Sequence, residues 1–217
     1  MPLSLWTNTV FWLTADSPVY NAGATNAEWI CYAKTCAGNA TQTVLNSQPS
    51  RVFTNGLWAL SFDGTDDFLR CFYPVNITSL YVRAELKIDK SKSAHAVFAN
   101  TRSASFGGLG LAFYISGANS TPAARLQGTT TDGAFDRSFS INIPDSYFLL
   151  EWEWLNGVAS VWLNGESQMQ TGSSGLTNIT GIVSNNTTRF AVGKDLGVGD
   201  NILKGDVRSI FISTGGR

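Results

Sequence analysis

Charge is scarce in this chain. Asp, Glu, Lys and Arg make up only 14% of its 217 residues, and they nearly cancel, to a net charge of −1. A soluble domain usually carries about 25% charged residues. A nucleic-acid binder needs a basic face to neutralise phosphates, and a polybasic membrane anchor needs clustered Lys and Arg; both are excluded. Cysteine is equally sparse, with three residues, Cys31, Cys36 and Cys71. An odd number closes no complete disulfide framework. Cys31 and Cys36 could bridge a short loop, but idle or buried thiols are the expectation. Three sulfurs and a single histidine, far apart in sequence, make a poor zinc site. Long apolar runs are missing too. No stretch approaches the roughly 18 residues of a membrane-spanning helix. Residues Met1 to Leu13 lack a basic start, and Trp6, Thr7, Asn8 and Thr9 break their apolar run, so no secretory signal peptide is expected.

What is present is apolar, aromatic and glycine-rich. Hydrophobic residues reach 43%, with 21 Gly and 7 Trp, which is enough for a real core beneath a neutral polar surface. The dominant period is two. Leu80, Val82, Ala84, Leu86 and Ile88 alternate with Tyr81, Arg83, Glu85, Lys87 and Asp89, the signature of a half-buried strand. Leu109–Ser116 and Ser138–Ile143 alternate in the same way, and Val207–Ile212 reads as a strand covered on both sides. Between the runs lie Asn55-Gly56, Asp63-Gly64, Asp132-Gly133, Asn156-Gly157 and Asn164-Gly165, all hairpin turn chemistry. Phe148–Leu155 and Val158–Leu163 read as one hairpin. Helical signal is confined to a short segment capped by Asn26 and running through Ala27, Ile30 and Ala33, and to a turn after Pro122 around Ala123 to Leu126. Neither could cover a sheet. Two antiparallel sheets must therefore cover each other. The polar stretch Thr171–Thr188 reads as a long surface loop.

Ala59-Leu60-Ser61-Phe62-Asp63-Gly64-Thr65-Asp66-Asp67-Phe68-Leu69 resembles a strand–turn–strand phrase of the laminin-G-like, concanavalin A-like jelly rolls. Phe11-Trp12-Leu13-Thr14-Ala15-Asp16 is similar to that group's opening strand. Gln48-Pro49-Ser50-Arg51 and Asn55-Gly56 resemble its lead-in, Phe148–Gly165 its late hairpin, and Phe190–Gly193 with Gly205–Arg208 its closing strands. The order is collinear along nearly the whole chain. The resemblance implies one all-β domain over residues 1–217, a two-sheet antiparallel jelly-roll sandwich. It does not imply one function, because such domains serve as lectins, glycan hydrolases, adhesion modules and virion surface proteins.

Function must come from a site. Glu151 and Glu153 stand at i and i+2 on a predicted strand, so they share a face roughly 7 Å apart. Retaining glycosidases hold two carboxyl groups about 5–5.5 Å apart. Glucanases of this fold resemble E-x-D-x-E, but here the fifth position is Leu155, so the expectation is two wet carboxylates and no catalysis. Asp63, Asp66 and Asp67 could ligate calcium, a hard cation that takes several oxygens, although Asp63-Gly64 also explains them as a turn. No cofactor is expected beyond that calcium. Asp195, Asp200 and Asn201 form a second polar loop. His95, the only histidine, has no partner at a recognisable spacing and reads as structural. Of the tryptophans, Trp12, Trp58, Trp152 and Trp154 sit in apolar runs and read as core, whereas Trp29 and Trp162 are the candidates for contact with a ligand or partner.

Three functions fit: a structural module on a larger particle, a glycan-binding lectin-like module, and a glycoside hydrolase of the same fold. Domains of this kind work outside cells, yet no export signal is read. A phage protein made in the host cytoplasm and assembled onto a virion resolves that tension. The expectation is therefore a non-enzymatic capsid decoration or head/tail accessory protein that docks on the major capsid protein or other virion subunits. By family analogy it would be a homo-oligomer, with a trimer favoured, and surface glycans would be its alternative partners.

Overall fold

The structure is a computed structural model that describes residues 9–15, 27–31, 39–71, 79–99, 110–155, 157–175, 190–195, 201–214 and 217. Among these there is no α-helix, only a single 3-10 turn at Leu45–Ser47. Seventeen strands form two antiparallel sheets. The first runs in the spatial order β14 (Glu166–Ser167), β13 (Val158–Leu163), β12 (Phe148–Leu155), β7 (Leu80–Ile88), β17 (Lys204–Ser213), β5 (Leu57–Asp63) and β4 (Ser50–Thr54). In this sheet β1 (Thr9–Thr14) also pairs with β17, beyond the end of β5. The second runs β15 (Gln170–Gly175), β11 (Gly133–Ser140), β10 (Ala123–Thr130), β9 (Gly110–Ser116), β8 (Ala94–Ala99), β16 (Ala191–Val192), β6 (Leu69–Arg70), β3 (Ala40–Gln42) and β2 (Ala27–Trp29). The fold is the two-sheet antiparallel sandwich that the period-two pattern demands.

The turns form as their residues require. Asn164 and Gly165 have φ of 52° and 88°, and Asn55 and Gly56 have 52° and 78°. Two consecutive positive φ angles define the hairpin turn whose twist matches the flanking strands, and Asn-Gly tolerates it best. The turns close β13 on β14 and β4 on β5 with two-residue loops.

Alternation then delivers one face of the central strands to the core, while edge strands β14 and β15 bury no residue. Phe148, Leu150, Trp152 and Trp154 of β12 are all buried against the facing sheet. Trp152 meets Phe113 of β9 edge-on at 5.9 Å, and Trp154 stacks near Phe135 of β11 at 6.1 Å. Phe98 lies flat on Phe190 at 4.5 Å. Truncating one such aromatic to alanine typically costs about 3–5 kcal/mol; the Trp152–Phe113 and Trp154–Phe135 contacts join the two layers, and Phe98–Phe190 packs within the second sheet.

Several local expectations fail for identifiable reasons. The segment read as a short helix after Asn26 contains β2, and the one read as a turn after Pro122 is β10. In both places strand pairing overrides a weak local propensity. Val207–Ile212 looked covered on both sides because a bulge between Val207 and Ser209 shifts the parity. Val207, Ile210 and Ile212 face the core, and Phe211 faces out. Gln170–Gly175, at the start of the supposed loop, is edge strand β15. The expectation of idle thiols holds for Cys71, which is free and buried. It fails for Cys31, which is disulfide-bonded; Cys36 lies outside the described residues.

Candidate functional site

The outward face of the first sheet gathers most of the unexplained chemistry. Strand pairing aligns five residues in one row across five strands. Trp162 of β13 is opposite Glu151 of β12, and Glu151 is opposite Arg83 of β7. Arg83 is opposite Phe211 of β17, and Phe211 is opposite Trp12 of β1. Four inter-strand spacings separate the terminal tryptophans, about 19 Å. The row is therefore aromatic at both ends and charged in the middle. Trp12, Arg83, Trp162 and Phe211 are all partly exposed.

Glu151 is the buried element of this row, only 4% exposed. It is not the wet carboxylate expected from alternation, because large neighbours crowd it. The Tyr81 hydroxyl donates a short hydrogen bond to its Oε1. Burial, reinforced by Glu151, pushes the Tyr81 phenol well above its ordinary range, so it remains a donor. Tyr81 also meets the Phe211 ring at 6.1 Å. Arg217 Nε reaches Glu151 Oε1 at 3.3 Å, and the Arg217 guanidinium lies 4.5 Å above the Trp162 ring. Glu153, one step along the same face, accepts the Arg217 backbone N–H at 2.7 Å. The structure thus joins the carboxylate pair Glu151 and Glu153 to Trp162, which sequence reasoning had treated apart from them. It adds Tyr81, Arg83, Phe211 and Trp12. The outward parity of Tyr81 and Arg83 was legible in the alternation of β7; their meeting with Glu151 was not.

Other candidates lie elsewhere. Trp29 was read as exposed, but it is fully buried in the core and cannot contact a ligand. Its strand is only three residues long at the sheet edge, and inward parity takes the indole under the sheet. Trp12 was read as core and is instead on the outward face, because its neighbour Leu13 takes the inward position.

Asp63, Asp66 and Asp67 each offer an oxygen within 4.8 Å of the others, an arrangement that could hold a hard cation. The carboxylates also have local work. Asp63 Oδ1 accepts the Thr65 N–H at 2.7 Å, Asp67 Oδ2 accepts the Asp63 N–H at 2.9 Å, and Asp66 Oδ2 accepts the Ser47 hydroxyl at 2.9 Å. Burial, with Asp63 and Asp66 adding like charge, pushes the Asp67 carboxyl up to about 6. Asp195 is buried, whereas Asp200 lies outside the described residues.

His95 is fully buried between two backbone groups. Its Nε2–H donates to the Lys92 carbonyl at 2.9 Å, and its Nδ1 accepts the Lys204 N–H at 3.1 Å. Both ring nitrogens are used to tie β8 to the start of β17, which leaves none for acid–base chemistry. Burial pushes the imidazole down to about 4, so it is neutral near pH 7.

Neither a known family profile nor a curated protein sequence matches the chain. Solved structures do. The fourth domain of AbnA, an extracellular arabinanase from Geobacillus stearothermophilus solved with arabinotriose, aligns with a TM-score of 0.61 at 14% identity, covering 96% of this chain and 93% of that one. Tailspike protein 2 of the Escherichia coli bacteriophage CAB120 aligns at 0.57 and 12% identity, over 76% of this chain but only 24% of the tailspike. Trypanosoma rangeli sialidase aligns at 0.53 and 13% identity, over 100% of this chain and 31% of the enzyme. The likeness is one of fold. In the first case the sandwich is a single domain of the arabinanase solved by itself, and in the other two it forms a minor part of a much longer chain.

Proposed function

We propose that this chain is a non-catalytic glycan-binding sandwich that serves a virion surface, with the outward face of the first sheet as its binding platform. The row Trp162–Glu151–Arg83–Phe211–Trp12 carries the reading. Aromatic rings offer flat apolar surfaces for the C–H faces of sugars, and the charged pair between them offers an acceptor and a donor set for hydroxyls. A platform about 19 Å long suits an extended oligosaccharide lying across the strands. A similarly folded domain solved with arabinotriose supports the ligand class, and a similarly folded part of a phage tailspike supports the setting.

Hydrolysis is the weaker reading. Glu151 is clasped by Tyr81 and Arg217, and the place of a third acid is taken by Leu155, an apolar residue 36% exposed. The exposed apolar residues Phe53 and Leu57, at the β4–β5 hairpin, favour a docking role beside glycan binding. In that role the chain would sit on other virion subunits as a capsid decoration or head/tail accessory, in several copies. Multivalency would then turn modest sugar affinity into firm attachment.

A glycan array probed with wild type and Trp162→Ala tests the reading. Wild type is expected to retain at least one oligosaccharide and Trp162→Ala to lose it. A wild type that binds no glycan but co-purifies stoichiometrically with virions would replace glycan recognition by docking alone.

A further inference from the structure

At one end of the platform the chain touches itself as a ligand would. The planar Arg217 guanidinium covers the Trp162 ring at 4.5 Å, its Nε points at Glu151 Oε1 at 3.3 Å, and its backbone N–H reaches Glu153 Oε1 at 2.7 Å. These are the contacts of a small flat group that stacks with one face and donates hydrogen bonds from its rim. Two further observations mark the contact as replaceable. The Arg217 side chain is 42% exposed while that of Glu151 is 5% exposed, so the arginine lies on top of the carboxylate. The second Glu151 oxygen, Oε2, is closed off from solvent and makes no hydrogen bond among the described residues. A buried carboxylate oxygen without a donor is costly, and Arg217 leaves it so.

We infer that Arg217 stands in for a neutral sugar ring at the Trp162–Glu151–Glu153 end of the platform and must move aside before a glycan can bind there. This rests on the glycan-binding reading and adds the identity of one subsite and its gate. A sugar ring would take the place of the guanidinium over Trp162. Its hydroxyls would donate to Glu151 and Glu153 and supply the donor that Oε2 lacks. With Arg217 displaced, two carboxylates face the ring and, among the described residues of the row, Arg83 alone opposes them, so sialic and uronic acids are disfavoured by like charge. The arginine is itself 42% exposed, so solvent screens both its ion pair and its cation–π contact, and each is worth only a few-fold in an equilibrium constant. The closed arrangement therefore lowers apparent affinity modestly, by the fraction of molecules in which the subsite is free.

The test is calorimetric titration of the full chain and of Arg217→Ala, Arg217→Lys and the double variant Arg217→Ala/Trp162→Ala with arabinotriose, cellotetraose and sialyllactose. Melting midpoints check that each variant folds. Arg217→Ala is expected to bind a neutral oligosaccharide about three- to tenfold more tightly than the full chain, with Arg217→Lys between them and the double variant inactive. Sialyllactose is expected to bind none of them. Equal affinity of full chain and Arg217→Ala overturns the gate, and a preference for sialyllactose overturns the neutral subsite; both leave the glycan reading standing. Failure of every protein to bind any of the three sugars overturns the subsite and counts against that reading as well.

Discussion

Acid should loosen this protein through its single histidine. His95 is neutral in the fold, with Nε2–H bonded to Lys92 and Nδ1 accepting from Lys204. Burial, with Lys92 and Lys204 nearby, holds its folded pKa at about 4, against 6.5 for a free imidazole. The folded state thus resists a proton that the unfolded chain accepts. Between these two values the unfolded state binds more protons, so stability rises with pH and falls as pH drops. The histidine's contribution is fully present above pH 6.5 and is progressively lost toward pH 4. A shift of this size is worth about 2.5 kcal/mol at a pH of about 4.5 and approaches roughly 3.4 kcal/mol at the low-pH limit. Asp67 opposes it. Its folded pKa is raised to about 6, so its protonation favours the folded state as pH falls through the same window. A variant comparison removes that overlap. His95→Gln keeps a donor and an acceptor but cannot titrate, and Asp67 is common to both proteins. Urea denaturation at about pH 7.5 and about pH 4.5 should show wild type losing roughly 2.5 kcal/mol more than His95→Gln. The sole histidine also gives one unambiguous NMR titration. An imidazole titrating near 6.5, or matching pH dependence in the two proteins, would refute the clamp.

Three further outcomes follow from the same structure. Trp29→Ala should cost about 3–5 kcal/mol in denaturant unfolding yet leave glycan affinity intact once folded, because the indole is core; loss of binding at unchanged stability would contradict its burial. Asp67→Asn keeps an acceptor for the Asp63 N–H but removes a buried charge beside two like charges, so it should raise the melting midpoint at about pH 8 and not at about pH 4. Calcium is expected to leave the wild-type midpoint unchanged, because turn amides and Ser47 already engage these carboxylates. A calcium-dependent rise that Asp67→Asn abolishes would instead establish a cation site.

Much of the architecture is legible in the sequence. Alternation in Leu80–Ile88 and Phe148–Leu163, with Asn-Gly at the corners, specifies half-buried strands and tight hairpins through backbone geometry alone. These elements stand where the pattern put them. Parity also indicated that Trp162 would face away from Val161 and Leu163, and it does. Parity fails where a bulge slips it, as at Val207–Ser209, and where a strand is too short to show a period, as at Trp29. The site itself belongs to the tertiary structure. Glu151, Arg83, Phe211 and Trp12 are dispersed along the chain, and only the registers of β12 on β7, β7 on β17 and β17 on β1 bring them into one row with Trp162. Local sequence determines which side of a strand a residue faces. Which residues become neighbours across strands is decided by non-local pairing, and that pairing is set by how two whole sheets bury each other.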